Sequence, residues 1–131
     1  MSNEIPSDLR YTQEHEWARP SEDKSVVTIG ITKFAVDQLG DITMVDLPKE
    51  GEAVQKGAVF GTVESVKAVS DLFAPVSGKV VKVNEALDDA PEIVNESAED
   101  AGWMAWIEIA DESELKNLMT KEQYDEFLKT L

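Results

Sequence analysis

Slid 27 places against itself, the stretch between Ile42 and Ile93 matches at the positions that punctuate a fold. Pro48 falls on Pro75, Gly51 on Gly78, Val54 on Val81, Gly57 on Asn84 and Phe60 on Leu87. Each Pro-x-x-Gly suits a turn after a strand, with proline preset at its second position. The other coincidences set apolar on apolar and turn former on turn former, as an internal duplication does. A strand-turn-strand unit this small cannot bury a face by itself. Two copies can, by packing one antiparallel sheet on another around a shared core. The pattern predicts a mainly β fold with quasi-twofold repeats at about 42–66 and 69–93, and Lys67 lies at their junction.

The rest of the chain flanks that core. His15-Glu16-Trp17 and Ser25-Val26-Val27-Thr28-Ile29-Gly30-Ile31 read as two strands of a hairpin, separated by the solvated turn Arg19-Pro20-Ser21-Glu22-Asp23. Thr32 offers a side-chain oxygen as N-cap to Lys33-Phe34-Ala35-Val36-Asp37-Gln38-Leu39, and Gly40 supplies a left-handed stop, so a short helix follows. In the tail Leu115, Leu118 and Met119, then Tyr124, Phe127, Leu128 and Leu131, recur three and four apart, as an apolar helical stripe requires. Thr120 and Gln123 form a capping-box pair, which divides the C-terminal segment, about 112–131, into two helices. Trp17, Trp103 and Trp106 are expected in the core, because a fold this small needs aromatic area. At 131 residues the whole chain is expected to form one domain.

Charge and cysteine usage exclude several functions. Lys and Arg total 12 against 27 Asp and Glu, a formal net charge of -15 that nucleic acid and anionic membranes should repel. No apolar run reaches the roughly 20 residues of a membrane span. Met1 to Arg10 has neither a signal peptide's apolar region nor a transit peptide's basic character, so a cytoplasmic protein is expected. The absence of cysteine removes disulfides, thiolate metal sites and a cysteine nucleophile together. Any thiol chemistry must arrive on a cofactor. His15 is the only histidine and is read as a hydrogen-bonded structural residue beside Trp17. Asp88-Asp89 and Glu96-Ser97-Ala98-Glu99-Asp100 lack the spacing that wraps a loop around calcium, and are read as solvated loops. The Gly57 to Gly61 pair lacks the Lys-Ser or Lys-Thr that follows in a phosphate loop. No metal site and no catalytic residue is expected.

Lys67 is the remaining candidate. It is the only cation between Lys56 and Lys79, at a strand reversal spelled Ser65-Val66-Lys67-Ala68 with no Gly, Pro or Asn. Tight hairpins ordinarily recruit residues that tolerate positive φ, so this spelling points to what the tip presents rather than to turn chemistry. An exposed lysine on an apolar hairpin also serves commonly as a gatekeeper against edge pairing. The alternative is a primary amine held away from the body on a rigid base.

Read in order, the chain resembles the H-protein family of the glycine cleavage system. The resemblance rests on Tyr11-Thr12-Gln13-Glu14-His15-Glu16-Trp17, Gly30-Ile31-Thr32, Leu39-Gly40-Asp41-Ile42, Val45-Asp46-Leu47-Pro48, Glu64-Ser65-Val66-Lys67-Ala68-Val69-Ser70-Asp71, Ala74-Pro75-Val76-Ser77-Gly78, Val83-Asn84 and Gly102-Trp103. The segment Glu64-Ser65-Val66-Lys67-Ala68 discriminates among carriers: lipoyl domains of 2-oxo acid dehydrogenases usually show Asp-Lys-Ala and biotin carriers Met-Lys-Met at this hairpin. One stretch departs from the family pattern, since Ser97-Ala98-Glu99-Asp100-Ala101 intervenes where Pro-Tyr usually precedes Gly102-Trp103.

The resemblance implies a barrel-sandwich hybrid: two packed antiparallel sheets, a short internal helix and C-terminal helices. It implies a carrier, not an enzyme. Lipoate would be amide-linked to Lys67, with Glu64, Ser65, Val66 and Ala68 as the lipoylation motif. The partners implied are a pyridoxal-phosphate glycine decarboxylase, a tetrahydrofolate-dependent aminomethyltransferase, dihydrolipoyl dehydrogenase and a lipoate-attaching enzyme, all serving a monomeric carrier. In the family the loaded arm is held against the protein's own surface. Glu16 and Asp71 are the candidates to line that cleft, each also readable as an ordinary solvated carboxylate. A lipoyl reservoir that donates its group to 2-oxo acid dehydrogenase complexes is the alternative that the residues leave open.

Overall fold

A computed structural model describes residues 9–21, 25–111 and 113–131. Glu22 and Asp23 of the expected turn, the first eight residues and Glu112 lie outside them. The elements run β1 (Arg10–Tyr11), β2 (Glu16–Pro20), β3 (Val26–Ile31), α1 (Lys33–Leu39), β4 (Ile42–Asp46), β5 (Ala53–Val54), β6 (Val59–Ser65) and β7 (Val69–Phe73). After these come β8 (Gly78–Val83), α2 (Ala86–Asp89), α3 (Glu92–Ser97), β9 (Ala105–Ile109), α4 (Ser113–Lys116) and α5 (Lys121–Leu128). They form two antiparallel sheets, one of six strands in the order β1-β2-β3-β9-β8-β5 and one of three in the order β4-β6-β7. The fold is mainly β, with the helices at the margins.

The 27-residue offset has a spatial meaning. It lays Ile42–Asp46 on Val69–Phe73, and these two strands occupy the two edges of the small sheet with β6 between them. It also lays β5 inside β8, and those strands pair with each other in the large sheet. Further along, the second copy turns helical: Val59–Ser65 falls on the stretch that forms α2 and the start of α3. The reason is local. Val59-Phe60-Gly61-Thr62-Val63 is rich in β-branched residues, whereas its counterpart Ala86-Leu87-Asp88-Asp89-Ala90 is made of residues with little strand preference.

Ile42, Val45, Val63 and Leu72 of the small sheet bury against Ile29, Ile31, Val80 and Ile107 of the large one. Each such side chain withdrawn from water stabilises the fold by about 1.5–3 kcal/mol. Trp17 is fully buried, and its indole Nε1 donates to the Ala98 carbonyl at 3.0 Å. Trp103 and Trp106 are only half-buried; their rings pack on each other at 5.6 Å, and the Lys82 ammonium sits 4.7 Å from the Trp106 ring centre. They form an outer aromatic flank that the sheets do not enclose.

The helix ends follow their capping chemistry. Thr32 Oγ1 accepts from the Ala35 N–H, and Gly40 closes α1 at φ 84°. Thr120 and Gln123 complete a capping box at α5. That helix docks through Tyr124, whose ring stacks on Tyr11 at 4.5 Å and whose hydroxyl meets His15 Nδ1 at 2.8 Å and Thr32 Oγ1 at 2.9 Å. The segment 97–101 folds tightly against the body. The Gly102 N–H donates to the Ser97 carbonyl, the Ala101 N–H donates to Ser97 Oγ, and Glu99 accepts from the N–H of Lys33 at the start of α1.

Candidate functional site

Lys67 is the middle residue of the tip, Val66-Lys67-Ala68, between β6 and β7, where Glu64 pairs with Val69. The Ser65 N–H donates to the Ala68 carbonyl at 2.8 Å. The return bond is made by a side chain: Ser65 Oγ accepts from the Ala68 N–H at 3.1 Å and from the Lys67 N–H at 3.3 Å. Serine thereby does what a left-handed glycine or asparagine does elsewhere. Among the described residues His15, at φ 69°, is the one non-glycine with positive φ, so the hairpin tip contains none. The unusual spelling of this reversal is thus resolved by Ser65.

The tip is tied to the body at one corner. The Val66 N–H donates to the Asp41 carbonyl at 3.2 Å. Gly40 lies beneath the lysine stem, so that a Cβ placed there would stand 3.6 Å from both Lys67 Cε and Val66 Cγ2. Val66 and Val69 are 70% and 69% exposed on either side of the lysine. Met44, Glu64 and Val69 align across the three strands as one row, and Asp46, Thr62 and Asp71 form the next. Lys67 is exposed and, among the described residues, forms no ion pair.

Glu16 and Asp71 differ in their surroundings. Asp71 is exposed on β7. Glu16, at 2% exposure, is enclosed between the sheets, where one oxygen accepts from Thr12 Oγ1 at 2.8 Å and the other from the Phe73 N–H at 3.1 Å. Burial pushes its pKa up to about 7, against the opposing pull of those two hydrogen bonds. Both residues lie along the free edge of β7, since Glu16 caps the backbone of Phe73, two residues beyond Asp71 and about 7 Å along the strand. Glu16 thus ties the large sheet to the small one. Burial of His15 beside Tyr124 pushes the imidazole pKa down.

A groove of about 620 Å³, lined by Asp46, Leu47, Lys49, Asn84, Asp88 and Asp89 among others, lies on the α2 side of β4 and stops short of Lys67. A smaller one of about 360 Å³ starts beside the hairpin and is lined by Met44, Asp46, Thr62, Glu64 and Asp88 among others. Sequence reading overlooked the corner Gly40-Asp41 and Thr12 as neighbours of the site. Gly40 is readable as a helix stop, but its contact with Lys67 and that of Asp41 with Val66 join residues distant in sequence and leave no local signal; Thr12 stands only four positions before Glu16, within a local pattern that could have found it.

These features define a class: small two-sheet β domains that present a single lysine at a braced hairpin tip. Comparison with known proteins narrows it. The family model described as glycine cleavage H-protein matches residues 9–131. A glycine cleavage system H protein of Anaeromyxobacter sp. (strain K) is 54% identical over 126 residues, 96% of this chain and 97% of that protein. One from Staphylococcus saprophyticus is 51% identical over 124 residues, 95% of this chain and 97% of that protein. The crystal structure of a glycine cleavage system H protein from Mycobacterium marinum superposes with a TM-score of 0.82 at 37% identity, covering 97% of this chain and all of that one. The chain belongs to the glycine cleavage H-protein family.

Proposed function

We propose that the protein is a lipoyl-bearing shuttle of the glycine cleavage system, with lipoate amide-linked to Lys67. The observation that carries this reading is the exposed amine of Lys67, without an ion-pair partner among the described residues, on a hairpin that Ser65 and the Asp41 carbonyl hold in place. The residues around it fit the group. The tip leaves room for an extended chain, Val66 and Val69 offer apolar flanks, and the cysteine-free protein needs an external dithiol. Acylation removes one positive charge and takes the formal net charge from -15 to -16. When bound, lipoate supplies a dithiolane that can take up and release a one-carbon amine unit and cycle between disulfide and dithiol.

In this role the protein carries an aminomethyl group from glycine decarboxylase to aminomethyltransferase and presents the dithiol to dihydrolipoyl dehydrogenase. The reactions belong to those enzymes, and this chain acts as their substrate. Glu64, Ser65, Val66 and Ala68 form the surface by which the lipoate-attaching enzyme recognises the hairpin. Asp71 and Glu16, along the edge of β7, hold a cationic load near the body. Donation of lipoyl groups to 2-oxo acid dehydrogenase complexes uses the same lysine and is the second reading.

Lys67→Arg tests the assignment. Intact mass and peptide mapping of protein from cells supplied with lipoate should find the wild type acylated at Lys67 alone among its ten lysines, and the variant unmodified and inactive in glycine cleavage. Because the position is exposed and the charge is retained, stability should change by less than about 0.5 kcal/mol. A variant lipoylated elsewhere that still supports turnover would overturn the proposal.

A further inference from the structure

We infer that Asn95 is a positioning residue for Lys67, acting through the corner between α1 and β4; this rests on the reading that Lys67 carries the arm. Asn95 projects from α3 and treats Ile42 as a strand would. Its Oδ1 accepts from the Ile42 N–H at 2.8 Å and its Nδ2 donates to the Ile42 carbonyl at 3.3 Å. A carboxamide carries the same donor and acceptor pair as a peptide, so it can satisfy both groups at once; a carboxylate lacks the donor.

The location explains the need. Strand β4 is an edge of the small sheet, and its register with β6 breaks between Ile42 and Met44. Ile42 still pairs with Ser65 of β6, but beyond that break, and Asn95 takes up both backbone groups of Ile42. Ile42 follows Asp41, whose carbonyl accepts the Val66 N–H, and Asp41 follows Gly40, which underlies the stem of Lys67. The path from α3 to the lysine is thus Asn95 to Ile42, through Asp41 and Gly40, to Val66 and Lys67. Ser65 sets the shape of the tip, whereas this path sets where the tip stands relative to the body. An enzyme that docks on the body and acts at Nζ requires both.

A simple edge cap would predict something different. If Asn95 only shields β4 from other strands, its loss lowers stability and leaves the lysine equally well presented. Apo protein carrying Asn95→Ala or Asn95→Asp separates the two, with Leu115→Ala, a buried site on α4, as a control for destabilisation alone. Two quantities are measured under conditions where every variant is folded. One is amide hydrogen exchange at Ile42, Val66 and Val63; the other is the rate of lipoyl transfer to Lys67 by a lipoate-attaching enzyme given lipoate and ATP.

Loss of both bonds in Asn95→Ala should speed exchange at Ile42 and Val66 by about tenfold relative to Val63, and raise KM for the apo protein by a similar factor with kcat little changed. Asn95→Asp, which keeps the acceptor, should fall between Asn95→Ala and wild type, and it carries the test if the alanine variant does not fold. Wild-type exchange at Val66 together with wild-type kcat/KM in the variants would overturn the inference. So would an equal rise in KM for Leu115→Ala. A wild-type protein that takes no lipoyl group at Lys67 would instead defeat the parent reading, and the Val66 exchange would still decide whether Asn95 holds the tip.

Discussion

At 2% exposure the Glu16 carboxyl has lost nearly all its water and keeps two hydrogen bonds in exchange, and the pKa of about 7 shows that desolvation outweighs them. The folded state therefore holds this proton more tightly than the unfolded chain, where the usual value is 4.5. Below pH 4.5 both states are protonated and the group is neutral in its effect. As pH rises from 4.5 to 7 the unfolded chain ionises first, so stability falls across that window and levels off above it. At 1.36 kcal/mol per pH unit the penalty at pH 8 is about 3 kcal/mol. Glu16→Gln retains an acceptor for the Phe73 N–H and cannot ionise. It should raise the unfolding free energy by about 1–3 kcal/mol at pH 8 and hardly at all at pH 4, read by urea denaturation at both. Equal gains at the two pH values would show that some other property of the side chain is responsible. The carboxylate is costly to the fold, which agrees with its proposed use. A cationic load near it would draw off the proton, so the same variant should shorten the lifetime of the loaded form while leaving lipoylation unchanged. Equal lifetimes in wild type and a Glu16→Gln, Asp71→Asn double variant would end that idea.

Two glycines govern the elements around the site for opposite reasons. Gly30 pairs with Trp17 across β2 and β3, and a Cβ on it would come within 2.8 Å of the indole. The ring has nowhere to move, because it is fully buried and its Nε1 is bonded to Ala98 at the end of α3. Gly30→Ala should destabilise by about 1–3 kcal/mol through overpacking, measurable as a lower denaturation midpoint followed by tryptophan fluorescence. An unchanged midpoint would mean that the indole repacks freely. At Gly40 the added carbon would meet ordinary contacts at 3.6 Å, and the obstacle is the backbone, since φ 84° with ψ -169° is open almost only to glycine. The segment 97–101, which departs from the family pattern, supplies the acceptor for Trp17 and a carboxylate for the start of α1. It is a structural buttress behind the site.

Across the whole molecule, acidic side chains outnumber basic ones by 27 to 12. The three ion pairs found among the described residues lie on exposed helix faces and neutralise little of that charge. Such a surface should be steered towards basic rims around partner active sites, and the acidic row of Asp46 and Asp71 lies next to the hairpin. With charges beyond about 8 Å screened at physiological ionic strength, KM of glycine decarboxylase for the lipoylated protein should rise as salt is added. A flat salt series would leave solubility as the only role for the charge.

Local chemistry was legible from the residues in order. Caps at Thr32 and Thr120, the stop at Gly40, the paired strands on either side of Lys67 and the exposed amine itself all depend on neighbours within a few positions, where spacing and residue type carry the information. The repeat revealed two sheets because strand periodicity survives duplication, but it could not show that the second copy turns helical beyond Asn84, since that choice is made by packing as well as by pattern. The tertiary structure alone decided that Glu16 lies buried on the backbone of Phe73, that Trp103 and Trp106 stay at the flank, that Asn95 bonds Ile42 and that Asp41 reaches the hairpin. Each of those facts joins residues more than twenty positions apart, or turns on how much water a finished fold excludes, and no local pattern encodes either.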